Sequence, residues 1–182
     1  VCRSDDLPVL GLHNVSNALA ALALSALFVS SNEMAVNGLM KYSGLDHRMQ
    51  MVADVNGVRF FNDSKATNVG ATLAAISGLS EVAILILGGQ SKQQNFETLT
   101  EVIRQKIRTV ILIGQDALII KAAIEGAGVP VIEASNMADA VHLSADIAEC
   151  DDLVLLSPAC ASFDMFDDYI HRGDVYMEAV RS

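Results

Sequence analysis

Val82-Ala83-Ile84-Leu85-Ile86-Leu87-Gly88-Gly89 is an unbroken apolar run that stops on a pair of glycines. A strand with one face in water alternates apolar and polar residues. A strand apolar throughout is covered on both faces, as in a parallel sheet between two layers of helices. Val110-Ile111-Leu112-Ile113 and Leu153-Val154-Leu155-Leu156 have the same texture. Around them, Phe96–Ile107, Ala117–Glu125 and Met137–Ile147 have helical patterning, Gly126 and Gly128 close the second of these, and Val129–Ile132 reads as another strand. This alternation predicts an α/β fold: an open, mostly parallel sheet flanked by helices, with right-handed crossovers.

Working outward, Met51–Val55 and Val58–Phe61 read as two strands around a type I′ turn at Asn56-Gly57. Asn62–Asn68 reads as a loop and Val69–Ile76 as a helix stopped by Gly78. The end, from about Phe163 to Val180, reads as helical with a break at Arg172-Gly173. Toward the N-terminus, Gly11 and Asn14 punctuate the start of a helix, Asn14–Phe28, with Ala, Leu and small residues on nearly every face. Such a helix is expected to be buried between other elements, and without a covering sheet to dock on another molecule or expose apolar surface. Residues 30–48 are polar and loop-rich, with a short amphipathic piece near Met34–Tyr42. A domain boundary is expected there, dividing the chain into residues 1–44 and 45–182.

The 182 residues allow one large domain or two small ones. Twelve Lys and Arg against 22 Asp and Glu give a formal charge of −10, unfavourable for general binding to nucleic acid or an anionic membrane. With 52% hydrophobic and 19% charged residues the chain is too apolar for disorder. No apolar run reaches the length of a membrane span, and no signal peptide is recognised, so no membrane insertion is expected. Cys2, Cys150 and Cys160 form neither a disulfide framework nor a metal motif, which favours a reducing, cytoplasmic compartment. His13, His47, His142 and His171 are scattered, so no metal ligands are assigned. Neither GxxxxGK[ST] nor a GxGxxG after a strand occurs.

In an open parallel sheet, ligands bind beyond the carboxyl ends of the strands. Three loops qualify: Asn62-Asp63-Ser64-Lys65-Ala66-Thr67-Asn68, Gly88-Gly89-Gln90-Ser91-Lys92 and Ser157-Pro158-Ala159-Cys160-Ala161-Ser162. Each precedes a helix whose free amides favour an anion. Lys65 and Lys92 add cations, so the residues suggest a site for carboxylate or phosphate groups. Read alone, the same features also fit solvated loop lysines, a turn-capping Asp63 and simple strand exits. Cys160, near an expected helix start, stands where a thiolate is favoured, with no adjacent histidine.

These stretches, with Gly11-Leu12-His13-Asn14-Val15-Ser16-Asn17, Leu45-Asp46-His47-Arg48, the block Leu156–Asp164 and Arg172-Gly173, resemble the Mur ligases of peptidoglycan synthesis, and among them the D-glutamate-adding members. The resemblance covers almost the whole chain. It implies that residues 1–44 are the end of a central ATPase domain and that residues 45–182 are the C-terminal, Rossmann-like ligase domain. The P-loop and UDP-binding domain would lie in a preceding part of a longer enzyme; the chain also lacks an initiator Met. The implied reaction is ATP-dependent and magnesium-assisted, and joins D-glutamate to UDP-N-acetylmuramoyl-L-alanine through an acyl phosphate.

The resemblance further implies roles for single residues. Asn14 and Asn17 match asparagines near the adenine, while His13 beside them shapes the turn. Arg48 matches a linker arginine that reaches the ATP phosphates, and Asp63 a residue on the ribose and phosphate side. Lys65, Thr67 and Lys92 match D-glutamate ligands. Ser162 matches a serine bonded to a substrate carboxylate, with Phe163 beside it and Tyr169 as an aromatic lining. Lys65 and Arg48 are the expected catalytic pair. Gln90 departs from the family, where an acidic residue often follows the glycine pair, and weakens the Lys92 assignment if that acid positions the lysine. Two alternatives remain open from sequence: a sister Mur ligase adding another amino acid, and a non-catalytic α/β ligand-binding domain.

Overall fold

A computed structural model describes residues 3, 6–8, 12–29 and 31–182, without the side chains of Leu12 and His13. Cys2, Gly11 and the role suggested for the His13 side chain lie outside the described residues. The chain divides into two compact units, residues 1–45 and 46–182.

The first unit contains α1 (Leu12–Ser25) and α2 (Asn32–Met40). Ser31 caps α2, its hydroxyl accepting from the Met34 amide at 3.2 Å. The first helix is not buried and exposes apolar surface, as expected for such a helix without a covering partner. Among its described side chains only Ala18 is buried, and Leu19 and Leu24 are exposed. The helix also ends at Ser25, leaving exposed Leu27 and Phe28 outside it. A groove of about 520 Å³, lined by Asn14, Asn17, Ala18, Ala21, Met34 and Leu39 among others, belongs to this unit.

The second unit is built on a six-stranded sheet: β1 (Gln50–Val55), β2 (Val58–Asn62), β3 (Ala83–Gly88), β4 (Ile107–Ile113), β5 (Val131–Glu133) and β6 (Leu153–Leu156). The spatial order is β1-β2-β6-β3-β4-β5, and only the β1–β2 hairpin is antiparallel. Asn56 (φ 54°) and Gly57 (φ 84°) are both left-handed, as a type I′ turn demands. The helices are α3 (Val69–Ser77), α4 (Thr100–Lys106), α5 (Ala117–Ile124), α6 (Met137–Ile147) and α7 (Tyr169–Arg181).

The fold is thus α/β, with an apolar layer on each side of the sheet. Alternate strand residues face opposite layers. Leu85, Leu87, Val110, Leu112, Leu153 and Leu155 join a core with α3, α4 and α5. Ile84, Ile86, Ile111, Ile113, Val154 and Leu156 join a second core with α6 and α7. Both strand faces are covered, which is why the three central runs carry no polar alternation.

Some boundaries differ from the sequence reading. β4 begins at Ile107, which was expected to end the preceding helix; that helix is a 3₁₀ turn, Phe96–Leu99, followed by α4. Gly78 closes α3 as expected, in an ordinary right-handed conformation (φ −79°). α7 starts only at Tyr169 and runs unbroken through Arg172-Gly173. Gly173 is there for close approach: a Cβ at this position would collide with His47 Nδ1 and lie 2.9 Å from Asn62 Nδ2. Gly173→Ala gains about 1 kcal/mol of helix propensity but meets an overpacking cost of roughly 1–3 kcal/mol. Urea unfolding should therefore show a net loss of stability; a gain would mean that His47 yields freely.

Candidate active site

Strands β2, β6, β3 and β4 are neighbours, so the loops leaving their carboxyl ends are neighbours too. β6 returns between β2 and β3, which makes this edge the switch point of the sheet. Hydrogen bonds knit the loops together. Asp63 N donates to Leu156 O (2.8 Å), Gly88 N to Pro158 O (3.0 Å), and Gln90 and Ala161 exchange a reciprocal pair at 3.0 Å. Gly88 (φ 125°) and Gly89 (φ 129°) allow the contact, since side chains there would strike the carbonyl oxygens of Ile113 and Ala161.

Arg172 lies beneath this edge, only 1% exposed. Its guanidinium donates to Ser64 Oγ (2.9 Å), Ser64 O (2.7 Å) and Cys160 O (3.0 Å). Ser64 Oγ in turn donates to Tyr169 O (2.7 Å). One side chain thus ties the β2 loop, the β6 loop and the start of α7. Burial pulls the Arg172 pKa down to about 10, leaving it charged at neutral pH. Beside this anchor, the Lys65 ammonium lies 3.8 Å from the centre of the Tyr169 ring. The ring's negative face holds a half-buried cation without neutralising it.

Asp63 is 8% exposed. Its carboxylate accepts from Ser157 Oγ (2.8 Å) and from the Met49 amide (3.3 Å). Burial dominates and pushes its pKa up to about 6, against the opposing effects of Ser157, the Met49 amide and the Arg48 charge. The linker is fixed from the same loop: Lys65 N donates to His47 O (3.0 Å), and His47 (φ 60°) and Met49 (φ 46°) are left-handed on either side of exposed Arg48. His47 itself is buried, with Nδ1 3.1 Å from Asn62 Nδ2 and Nε2 3.8 Å from Asp174 Oδ1.

The second unit thus holds Asp63, Lys65 and Thr67 on the β2 loop, Lys92 on the β3 loop, and Ser162 and Phe163 on the β6 loop, with Tyr169 opening α7 and Arg48 on the linker. Lys92 is exposed, Ser162 buried, and Phe163 66% exposed. Asn14 and Asn17 belong to the first unit, where Asn17 Nδ2 donates to Asn14 Oδ1 at 3.4 Å. Among the described residues, no group of three or more His, Cys, Asp or Glu gathers as a metal site.

Asn68, Asn95 and Asp168 each cap one amide of the helix or 3₁₀ turn that follows its loop, and Lys65 and Lys92 add formal positive charge beside these starts. One expectation is corrected. No helix begins at Cys160; its thiol is fully buried, and burial pushes its pKa up to about 12, so it is protonated rather than nucleophilic. Ser64, Arg172, Gln94 and Asp116 received no role from sequence. Arg172 and Ser64 stand inside the motifs quoted above, but nothing in their spacing signals that they meet.

The family profile described as "Mur ligase, glutamate ligase domain" matches residues 47–160. The chain belongs to the Mur ligase family. It is 51% identical over 96% of its length to the UDP-N-acetylmuramoylalanine--D-glutamate ligase of Thiobacillus denitrificans, and 46% identical over 98% to the protein of the same name from Nitrosomonas europaea. This Mur ligase chain spans 37% and 38% of those relatives. Among solved structures it is similar to a UDP-N-acetylmuramate-alanine ligase from Thermotoga maritima (TM-score 0.71, 14% identity, 96% of this chain and 39% of that one). It is also similar to a Mycobacterium tuberculosis folylpolyglutamate synthase complexed with ADP (TM-score 0.70, 15% identity, 97% and 42%). At such identities the likeness concerns the Mur ligase fold alone.

Two measurements probe the site of this Mur ligase chain. Because Asp63 has a native pKa near 6 against an ordinary 3.8, the native state holds a proton between those values that the unfolded chain does not. Asp63 therefore adds stability that is complete below about pH 4 and lost as pH rises through 6, about 3 kcal/mol in all. Asp63→Asn should remove that slope from the difference between the two pH–stability curves; parallel curves would contradict it. Arg172→Lys should cost about 1–3 kcal/mol in chemical unfolding, since an ammonium cannot reach all three acceptors in a planar fork. Unchanged stability would show that the fork is not needed.

Proposed function

We propose that this chain is the C-terminal portion of a cytoplasmic, ATP-dependent ligase that joins D-glutamate to UDP-N-acetylmuramoyl-L-alanine. The observation that carries the reading is the meeting of the Lys65, Lys92 and Ser162 loops at adjacent strand ends, in a chain 51% identical to a protein of that name. In this reading residues 1–44 end an ATP-binding domain and residues 45–182 are the acceptor domain.

The chemistry asks for an activated acyl group and a held amine. The muramoyl-alanine carboxylate takes the terminal phosphoryl group of ATP, releasing ADP. The amine of D-glutamate attacks the acyl carbon, loses a proton and expels phosphate through a tetrahedral intermediate. Magnesium, when bound, supplies neutralisation of phosphate charge. The residues of this chain hold and orient. Lys65, Lys92, Thr67 and Ser162 meet the two carboxylates of D-glutamate, a dianion that needs cations. Phe163 and Tyr169 line the pocket, and the Tyr169 ring keeps the Lys65 ammonium in place. Arg48, on a linker fixed to the Asp63–Lys65 loop, carries its fork toward phosphate when domains close. Asp63 stands on the nucleotide side, and Asn14 and Asn17 offer amides to a purine edge.

The test uses the full-length polypeptide with ATP, magnesium and UDP-N-acetylmuramoyl-L-alanine. Phosphate release is expected with D-glutamate and not with L-lysine or meso-diaminopimelate. Release with one of the others would keep the ligase and void the acceptor; release with none would leave a binding domain. Lys65→Ala should raise KM for D-glutamate and lower turnover, a combined loss of about 2–5 kcal/mol. Wild-type kinetics would remove Lys65 from the site.

A further inference from the structure

Lys92 and Gln93 are consecutive residues with left-handed backbones (φ 52° and 57°), a conformation that side chains other than glycine rarely keep unless the surroundings impose it. Two groups impose it here. On one side, Asp116 Oδ2 accepts from Ser91 N at 2.7 Å. On the other, Gln94 Nε2 donates to Ser91 O (2.9 Å) and Ala159 O (3.0 Å), while Gln94 Oε1 accepts from Val69 N (2.8 Å). Ser91, just before the turn, is thus held at both its amide and its carbonyl, and is buried.

Asp116 comes from a fourth loop, after β4, that the sequence did not mark. That loop is itself fixed. Gly114 lies against Gly89, Asp116 N donates to Gly89 O (3.3 Å), and Gln115 N donates to Asp164 Oδ2 (2.8 Å). The bond to Ser91 N holds the Asp116 carboxyl below the usual carboxylate range, so it is an anion at neutral pH. Asp116 and Lys92 both act electrostatically on the Cys160 thiol, with opposite signs. Gln90, which stands where the family often has an acidic residue, pairs its backbone with Ala161.

We propose that Asp116 is a positioning residue for Lys92: its carboxylate, working with the Gln94 amide, clamps the left-handed Lys92-Gln93 turn in the shape that presents the lysine to a carboxylate of the amino-acid acceptor. This rests on the reading of Lys92 as an acceptor ligand. The acid missing at position 90 is thereby supplied from the next strand.

The experiment is a kinetic cycle in the full-length enzyme with Lys92→Ala, Asp116→Ala and the double variant. Lys92→Ala should raise KM for D-glutamate by about tenfold or more, and Asp116→Ala by about fivefold, while KM for ATP stays within about twofold. Because Asp116 acts through Lys92, Asp116→Ala should change nothing further in the Lys92→Ala background. Multiplying effects, or an equal rise in every KM, would overturn the proposal and leave the Lys92 reading standing. An unchanged KM for D-glutamate in Lys92→Ala would sink that reading, and the proposal with it. If Asp116→Ala does not fold, Asp116→Asn keeps an acceptor for Ser91 N without the charge. It should raise the same KM by about threefold, and a wild-type value would overturn the clamp.

Discussion

A guanidinium shut away from water must have its N–H groups met, and Arg172 meets them with three acceptors drawn from two loops. All three are neutral, so the attraction comes from charge-assisted hydrogen bonds rather than an ion pair. A buried cation held this way tolerates few arrangements of its neighbours. Ser64 must offer both its hydroxyl and its carbonyl, and Cys160 must turn its carbonyl inward. α7 must approach closely enough for its next residue to be Gly173. The position of the Lys65 loop follows from these demands.

The sheet makes the arrangement possible. Because β6 is inserted between β2 and β3, three loops distant in sequence leave the sheet side by side. Their polar side chains then satisfy one another. Ser157 bridges Asp63 and Thr72, and Gln94 reaches the β6 loop and the first amide of α3. Each loop is thus tied to its neighbours by polar side chains as well as by backbone.

The linker is tied to the same edge. His47 and Met49 carry left-handed backbones on either side of an exposed Arg48, and their bonds run to the same short loop that carries Asp63 and Lys65. The Asp63 carboxylate, which accepts from the Met49 amide, also feels the Arg48 charge.

Periodicity alone determined the α/β class, the buried strands and the hairpin, because unbroken Ile, Leu and Val runs have no stable place except between two helical layers. Motif resemblance extended this to the loops that carry Lys65, Lys92 and Ser162. The sequence misplaced the start of β4 and put a break at Arg172-Gly173, since local propensity carries no information about what packs against a residue. It gave no role to Arg172, Ser64, Gln94 or Asp116, whose partners lie on other strands and helices. Which strand lies beside which, and hence which side chains meet at the sheet edge, is decided by long-range packing, and only the tertiary structure contains it.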